Sequence, residues 1–495
     1  MSQENLEKII SQQATTIQNL TDEIKLLREQ VAYLTQKHYG KSSEQMSLNG
    51  QTSLFDESEA QSVPDAIQTI TYRRQAHTRK RADLLAGFPA EEVHHELDDK
   101  HCPNCHHELK EIGAYPIRQE LLFIPAQLKR LNHIQHAYKC QYCSQRSLSD
   151  KIIPKAPLNH GLGSPSLIAH TLYQKYELKI PDYRQESDWK KMGLEVSRQM
   201  LNHWGLKSSK YYFKPLYDVL KQKLLNRPIL HADETYYTVL ESETIKTYYW
   251  VFLSGKHDRY GITLYHHDPH RSGQVALDFL GNYSGYLHCD IWQAYEQLPE
   301  ATLVGCWAHV RRKFHEAMPQ NASGKCIARQ GLNYCNRMFC LEKAWESLDC
   351  QTRYQARQEE LRPLMQEFFE WCRKNKATVL PGSKLGKAIN YALKHQETFE
   401  HVLLNGRLEL SNNKAERAVK SLVIGRKNWL FSQSFAGATA SGIILSLIET
   451  AKRNDLDPEK YLNYLLQKLP NEEILDSDAL EVYLPWQAKI QKMCK

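Results

Sequence analysis

Three carboxylates and two pairs of cysteines are the residues whose types and settings point most directly to chemistry. Asp233 lies in Ile229–Leu240, ILHADETYYTVL, an apolar run rich in β-branched and aromatic residues that reads as a strand. A carboxylate buried in such a run needs a partner or a metal. The plainer alternative is an acid at a fraying strand end. Side chains alternate along a strand, so Glu234 should point away from the face that Asp233 serves and tolerate substitution better. Asp290 closes a second strand-like run, Tyr286-Leu-His-Cys-Asp290. Glu416 follows Asn413 by three residues, the spacing of a capping box, so it also has a structural reading as the cap of its own helix. The cysteines stand as Cys102-Pro-Asn-Cys105 and Cys140-Gln-Tyr-Cys143. Two CxxC knuckles at this separation predict one tetrahedral zinc, and four thiolates close its shell, which makes it structural. His101, His106 and His107 are close enough to replace one thiolate.

The elements that position the carboxylates follow from the pattern around them. Ile229–Leu240, Thr247–Leu253 and Tyr260–His266 read as three consecutive strands, and Ser272–Leu280 as a helix. Tyr286–Asp290 is a fourth strand, Gln293–Leu298 a helix and Thr302–Cys306 a fifth strand. The order β-β-β-α-β-α-β predicts a mixed sheet. In an RNase H-like sheet the first and fourth strands are neighbours, which sets Asp233 beside Asp290. Residues 316–405 are helical and too long for a connector, so they read as an all-helical insertion. Cys326, Cys335, Cys340 and Cys350 within it lack CxxC spacing and read as core thiols. Ser434–Lys452 is rich in Gly, Ala and Ser before a helix from Ile443. A last helix, Pro458–Leu469, leads into a polar tail.

The N-terminal half reads as binding modules. Residues 6–34 carry a heptad with Ile10, Ile17, Ile24 and Val31 in one set and Leu6, Gln13, Leu20, Leu27 and Leu34 in the other, which favours a parallel two-stranded coiled coil. The alternative is an amphipathic helix packed on its own domain. A polar linker follows and ends in a basic run containing Arg73, Arg74, Arg79, Lys80 and Arg81, which suits a phosphate backbone or a solvated loop. Two helices around Met192-Gly193 fit a helix-turn-helix, with Ser197, Arg198 and Gln199 heading the second. A plain helical hairpin fits as well.

The resulting division is 1–39 coiled coil, 40–82 linker with basic run, 83–155 zinc-ribbon-like module and 156–226 helix-turn-helix-like region. It continues with 227–430 RNase H-like domain and 431–495 C-terminal helical segment, a multidomain α+β protein. The net charge of +7 only tilts the balance towards a polyanionic partner. No stretch approaches the ~18 apolar residues of a membrane span, and the start lacks an apolar signal core. Both features predict a cytoplasmic protein, in which the twelve cysteines serve as thiols or metal ligands rather than disulfides.

Four blocks together resemble the transposases of the IS66 family of bacterial insertion sequences. They are His231-Ala-Asp-Glu-Thr235, His288-Cys-Asp-Ile-Trp-Gln-Ala-Tyr295, Gly305-Cys-Trp-Ala-His-Val-Arg-Arg-Lys-Phe314 and Ser411-Asn-Asn-Lys-Ala-Glu-Arg-Ala418. Ile291-Trp292 departs from the Gly-Tyr-like pair expected there. The resemblance implies a DDE catalytic set of Asp233, Asp290 and Glu416 holding two Mg²⁺ (or Mn²⁺), with Asp233 as the bridge. It implies cleavage of element ends and strand transfer into target DNA. Cys306 and His309 resemble the CxxH signature of several DDE groups and stand as site support, or simply as packing at a strand end. Arg311, Arg312, Lys313, Arg417 and Lys420 suit contact with DNA. The implied partners are double-stranded DNA (terminal inverted repeats and target), a second copy through the coiled coil, and small accessory proteins of the element. The implied location is the bacterial nucleoid. Two other readings share these residues: a DNA-binding relative without catalysis, and an RNase H-like nuclease that does not join.

Overall fold

The computed structural model describes Gln13 and residues 128–133, 154–159, 161–244, 246–319 and 326–495. The expected coiled coil (Gln13 apart), linker, basic run Arg73–Arg81 and zinc cysteines lie outside the described residues. Residues 128–133 are exposed and irregular, although Leu128–Tyr138 reads as a strand in sequence.

Four helices open the part described from residue 154 onwards. They are α1 (Pro165–Tyr176), α2 (Asp182–Lys191), α3 (Arg198–Ser208) and α4 (Lys214–Leu225). Ser164 and Ser197 cap α1 and α3 by accepting the amides of Leu167 and Met200. Gly193, at φ +83°, makes the turn that ends α2, a conformation only glycine adopts freely. The chain then forms β1 (Ile229–Tyr237), β2 (Thr247–Ser254), β3 (Thr263–Asp268), α5 (Gly273–Leu280), β4 (Tyr286–Cys289) and β5 (Thr302–Gly305). The five strands make one mixed sheet in the order β3-β2-β1-β4-β5. The first three are antiparallel, and β1, β4 and β5 are parallel. The expected neighbours β1 and β4 do pair. The helix expected at Gln293–Leu298 is only a 3-10 turn, Tyr295–Gln297.

Helices α6 (Trp307–Glu316), α7 (Ile327–Ala344), α8 (Cys350–Ala356), α9 (Arg362–Lys376), α10 (Lys384–Lys394) and α11 (Gln396–Glu400) follow β5. They hold a core of their own around Trp307, Phe314, Phe368, Phe369 and Phe399. Trp307 is fully buried, and its indole N–H donates to the Phe399 carbonyl (3.1 Å). Of the cysteines expected in this core only Cys335 is buried. Cys340 is exposed, and Cys326 and Cys350 are intermediate, so spacing without CxxC did not decide burial.

Then come α12 (Asn413–Trp429), α13 (Phe435–Lys452), α14 (Pro458–Lys468), α15 (Ser477–Glu481) and α16 (Ala488–Met493). The Gly/Ala/Ser-rich stretch is helical from Phe435, where its composition resembles a loop. Its small residues let α13 lie against the edge strand β3. A Cβ on Gly442 would stand 3.1 Å from the Tyr265 carbonyl oxygen. Ser446 Oγ accepts the Tyr265 amide (2.8 Å), and Thr450 Oγ1 accepts the Thr263 amide (3.1 Å) and donates to its carbonyl (3.0 Å). The helix thus satisfies an edge that would otherwise invite another strand. The expected polar tail instead buries Leu480, Leu484 and Ile490.

Arg357 ties the helical insertion to the segment that leads into α12. It is fully buried, pairs with Glu342 (2.6 and 2.8 Å) and donates to the carbonyls of Val402, Asn405 and Leu408. Arg357→Ala should destabilise the fold by about 3–5 kcal/mol, the scale for removing one partner of a buried pair. Arg357→Lys should recover little of it, because an ammonium cannot reproduce the planar fork. Chemical denaturation of the three proteins measures this.

Candidate active site

The parallel register of β1 and β4 pairs Ile229 with Tyr286, Leu230 with Leu287 and His231 with His288. Two residues further on, Asp233 and Asp290 occupy corresponding positions at the end of the pairing, on the face shared with the two histidines. The imidazoles of His231 and His288 stack at 4.3 Å and 9° directly beneath that level. Asp233 Oδ1 accepts the Glu234 amide (2.9 Å), and Asp290 Oδ1 accepts the Trp292 amide (3.1 Å). Burial, then the charges of Glu234, Asp290 and Glu416, push the Asp233 carboxyl well above the usual range. The cluster is therefore a concentration of negative charge that a cation would relieve.

Glu416 reaches the cluster from the first turn of α12. It does not cap that helix. The helix begins at Asn413 and its cap residue is Asn412, whose side chain makes no capping bond. Asn412 is turned the other way. Its Nδ2 donates to the Ala232 carbonyl (2.8 Å), so its Oδ1 accepts from His231 Nδ1 (2.9 Å). The Asn412 amide donates to Cys306 Sγ (3.1 Å), and the Glu409 amide donates to His288 Nε2 (3.3 Å). Residues 409–412 are thereby fastened to β1, β4 and the end of β5, and α12 starts from that anchor. Burial disfavours ionised Glu409, yet His231 (Nε2 to Oε1 3.1 Å) and Lys414 outweigh it and hold the carboxyl below its ordinary range.

Glu416 Oε2 lies 3.3 Å from Arg312, and Oε1 lies 3.7 Å from His309 Nε2, too long for a hydrogen bond. Oε1 is buried without a hydrogen-bond partner. Burial, helped by Arg312 and Lys313 and opposed by Glu416 and Asp290, lowers the His309 pKa and favours the neutral imidazole. Among the described residues, the one trio whose ligand atoms all lie within 4.8 Å of one another is Cys306, His309 and Glu416. The three carboxylates are more widely spread.

Two features of the site escaped the sequence. Glu234 does point away from Asp233, but not into solvent. Its carboxylate, 2% exposed, is gripped by Arg271 (2.5 and 3.0 Å) and by the Tyr295 hydroxyl (2.8 Å). Arg271 also lies over the Trp292 ring at 4.2 Å. The expectation that Glu234 tolerates substitution neglected partners remote in sequence. Second, Ile291 has φ +60°, a costly conformation for a β-branched residue. Its departure from glycine therefore carries strain next to Asp290, held in place by its buried side chain.

The basic residues are divided. Arg311 donates to Asn336 (2.7 Å), and Lys313 lies over the Tyr391 ring (4.6 Å). Arg198, Gln199, Arg417 and Lys420 are exposed. Ser197 is spent as the cap of α3, whose Leu201 and Trp204 are buried in the core while its head stays exposed, an arrangement shared by a helix-turn-helix and a helical hairpin.

Comparison with known families gives the class of protein, a transposase. The pattern of the "Transposase IS66 family" matches residues 160–440. The "zinc-finger binding domain of transposase IS66" matches 99–144, a range that contains all four CxxC cysteines. The "IS66 C-terminal element" matches 446–486, and "Transposase C of IS166 homeodomain" matches 26–93. The chain belongs to the IS66 family of transposases. It is similar to three proteins of Sinorhizobium fredii (strain NBRC 101917 / NGR234). Uncharacterized protein y4hP is 28% identical over 75% of this chain and 70% of its own length. Uncharacterized protein y4qI is 27% identical over 96% and 89%, and uncharacterized protein y4jD 26% over 94% and 95%. Among the described residues no helix is long and apolar enough to cross a membrane.

Asn412→Ala should cost about 1–3 kcal/mol, because it leaves the Ala232 carbonyl and His231 Nδ1 unpaired in the interior. Glu234→Ala should fall in a similar range by stranding Arg271 and Tyr295. Thermal unfolding of each variant measures the loss.

Proposed function

We propose that this transposase cleaves the ends of its element and joins them to target DNA with Asp233, Asp290 and Glu416 as the catalytic, metal-binding carboxylates of an RNase H-like domain. The observation that carries the proposal is the β1/β4 register, which brings Asp233 and Asp290 level on one face while Asn412 anchors the start of the helix bearing Glu416. Three antiparallel strands followed by two parallel ones support the RNase H-like reading.

The donors suit a hard divalent cation such as Mg²⁺. They are carboxylate oxygens, one of them buried and unpartnered, around an Asp whose ionisation its neighbours oppose. Asp233, flanked by the other two, would be shared between two ions, with Asp290 and Glu416 each holding one. When bound, such ions make a water or a DNA 3′-hydroxyl a better nucleophile and stabilise the leaving oxygen. The chain's own part is positional. The stacked histidines and Asn412 fix the carboxylates from below, Ile291 fixes the turn after Asp290, and Arg312 orients Glu416 while offering positive charge to a phosphate. No side chain is needed as a covalent nucleophile.

The remaining modules complete the reading. Cys102, Cys105, Cys140 and Cys143 hold one structural zinc. Residues 1–39 pair two copies. The basic run Arg73–Arg81 and the exposed heads of α3 and α12 contact DNA, with small accessory proteins of the element as further partners.

Asp233→Asn and Glu416→Gln, both near-isosteric, should each lower cleavage and joining of a donor carrying the element ends by several orders of magnitude, leaving end binding in a gel-shift assay largely intact. Normal joining by either variant overturns the assignment. Cleavage without joining in the unaltered protein identifies a nuclease instead.

A further inference from the structure

We propose that Cys306, His309 and Glu416 form a second metal site that takes zinc or a similar borderline-soft divalent ion. Their ligand atoms all lie within 4.8 Å of one another. A thiolate, an imidazole nitrogen and a carboxylate oxygen are a zinc donor set, whereas Mg²⁺ prefers oxygen throughout. The arrangement is built into the fold. Cys306 is the cap residue of α6, His309 sits one turn into that helix, and Glu416 faces them from the first turn of α12.

Three details point to a ligand. Glu416 Oε1 is buried without a hydrogen-bond partner. The 3.7 Å between His309 Nε2 and Glu416 Oε1 is too long for a hydrogen bond but close to the separation, about 3.4 Å, of two ligands on a tetrahedral ion with bonds of ~2.0–2.1 Å. Arg312 engages the other carboxylate oxygen, Oε2, and leaves Oε1 open. Third, the Cys306 sulfur accepts the Asn412 amide (3.1 Å), which fixes its direction beside His309 and Glu416. On binding, the thiol releases its proton to solvent, sulfur, nitrogen and oxygen supply three ligands, and a water completes the shell.

The consequence for the reaction rests on the reading of Glu416 given above. An ion held here engages the carboxylate that the Mg²⁺-dependent reaction requires, so zinc should inhibit.

The test uses the full-length chain with its CxxC module zinc-filled. After Co²⁺ loading and gel filtration, the unaltered chain should retain one more ion per chain than Cys306→Ala or His309→Gln, with added thiolate-to-cobalt absorbance that Cys306→Ala lacks. Co²⁺ affinity should fall at least as far as the roughly 10–100-fold typical of disturbing even an outer-shell partner. Asp233→Asn should retain the ion, which separates this site from the proposed Mg²⁺ centre. Zn²⁺ added over Mg²⁺ should suppress joining by the unaltered chain. Equal metal content in the unaltered chain and in either folded variant overturns the site. Retained metal with undiminished joining in Zn²⁺ overturns the inhibition alone.

Discussion

The structure depends on a conflict between charge and burial. Three carboxylates are brought towards one another at the partly buried ends of adjoining strands, where burial and the neighbouring charges raise the cost of ionising Asp233. Such a cluster does not assemble through mutual attraction. It must be imposed by surroundings that are stable on their own account. The parallel pairing of β1 and β4 imposes half of it, because backbone hydrogen bonds fix the register irrespective of which side chains it juxtaposes. A slip of one residue would turn one of the two aspartates to the opposite face.

The other half is imposed from a distance. Glu416 arrives more than a hundred residues after Asp290, across an insertion with its own aromatic core. That core ends where Arg357 binds the carbonyls of Val402, Asn405 and Leu408. The chain leaves this clamp and is caught at once by His231, Ala232, His288 and Cys306. The insertion thus acts as a rigid spacer that returns the chain to β1. The histidines of the first two acidic motifs serve as the floor of the site, and the cysteine of the CxxH motif as one of its fasteners.

Much of this was legible from pattern. The succession of strands followed from apolar runs and turn residues, and the neighbouring of β1 and β4 from the RNase H-like sheet to which that succession was likened. Glu416 and its helix were legible, but the cap was not. Asn413 offered the right spacing, while Asn412 was already committed to His231 and Ala232, partners some 180 residues away. The partners of Glu234 were illegible for the same reason: alternation gives the face, and only the fold supplies Arg271 and Tyr295. The first turns of α13, before Ile443, were missed because the small residues that admit the helix to the edge of β3 also compose loops. Cys340 and the C-terminal segment show the limit of composition, since burial depends on which surface an element finds.

The central claim is that Asp233, Asp290 and Glu416 together hold the catalytic cations. It is tested most directly by locating Mn²⁺ through its anomalous scattering in crystals of the full-length chain bound to element-end DNA. The account predicts Mn²⁺ coordinated by oxygens of all three carboxylates and of the DNA backbone, with Asp233 shared between two ions. Mn²⁺ bound to that complex elsewhere, with any of the three carboxylates uncoordinated, would contradict it.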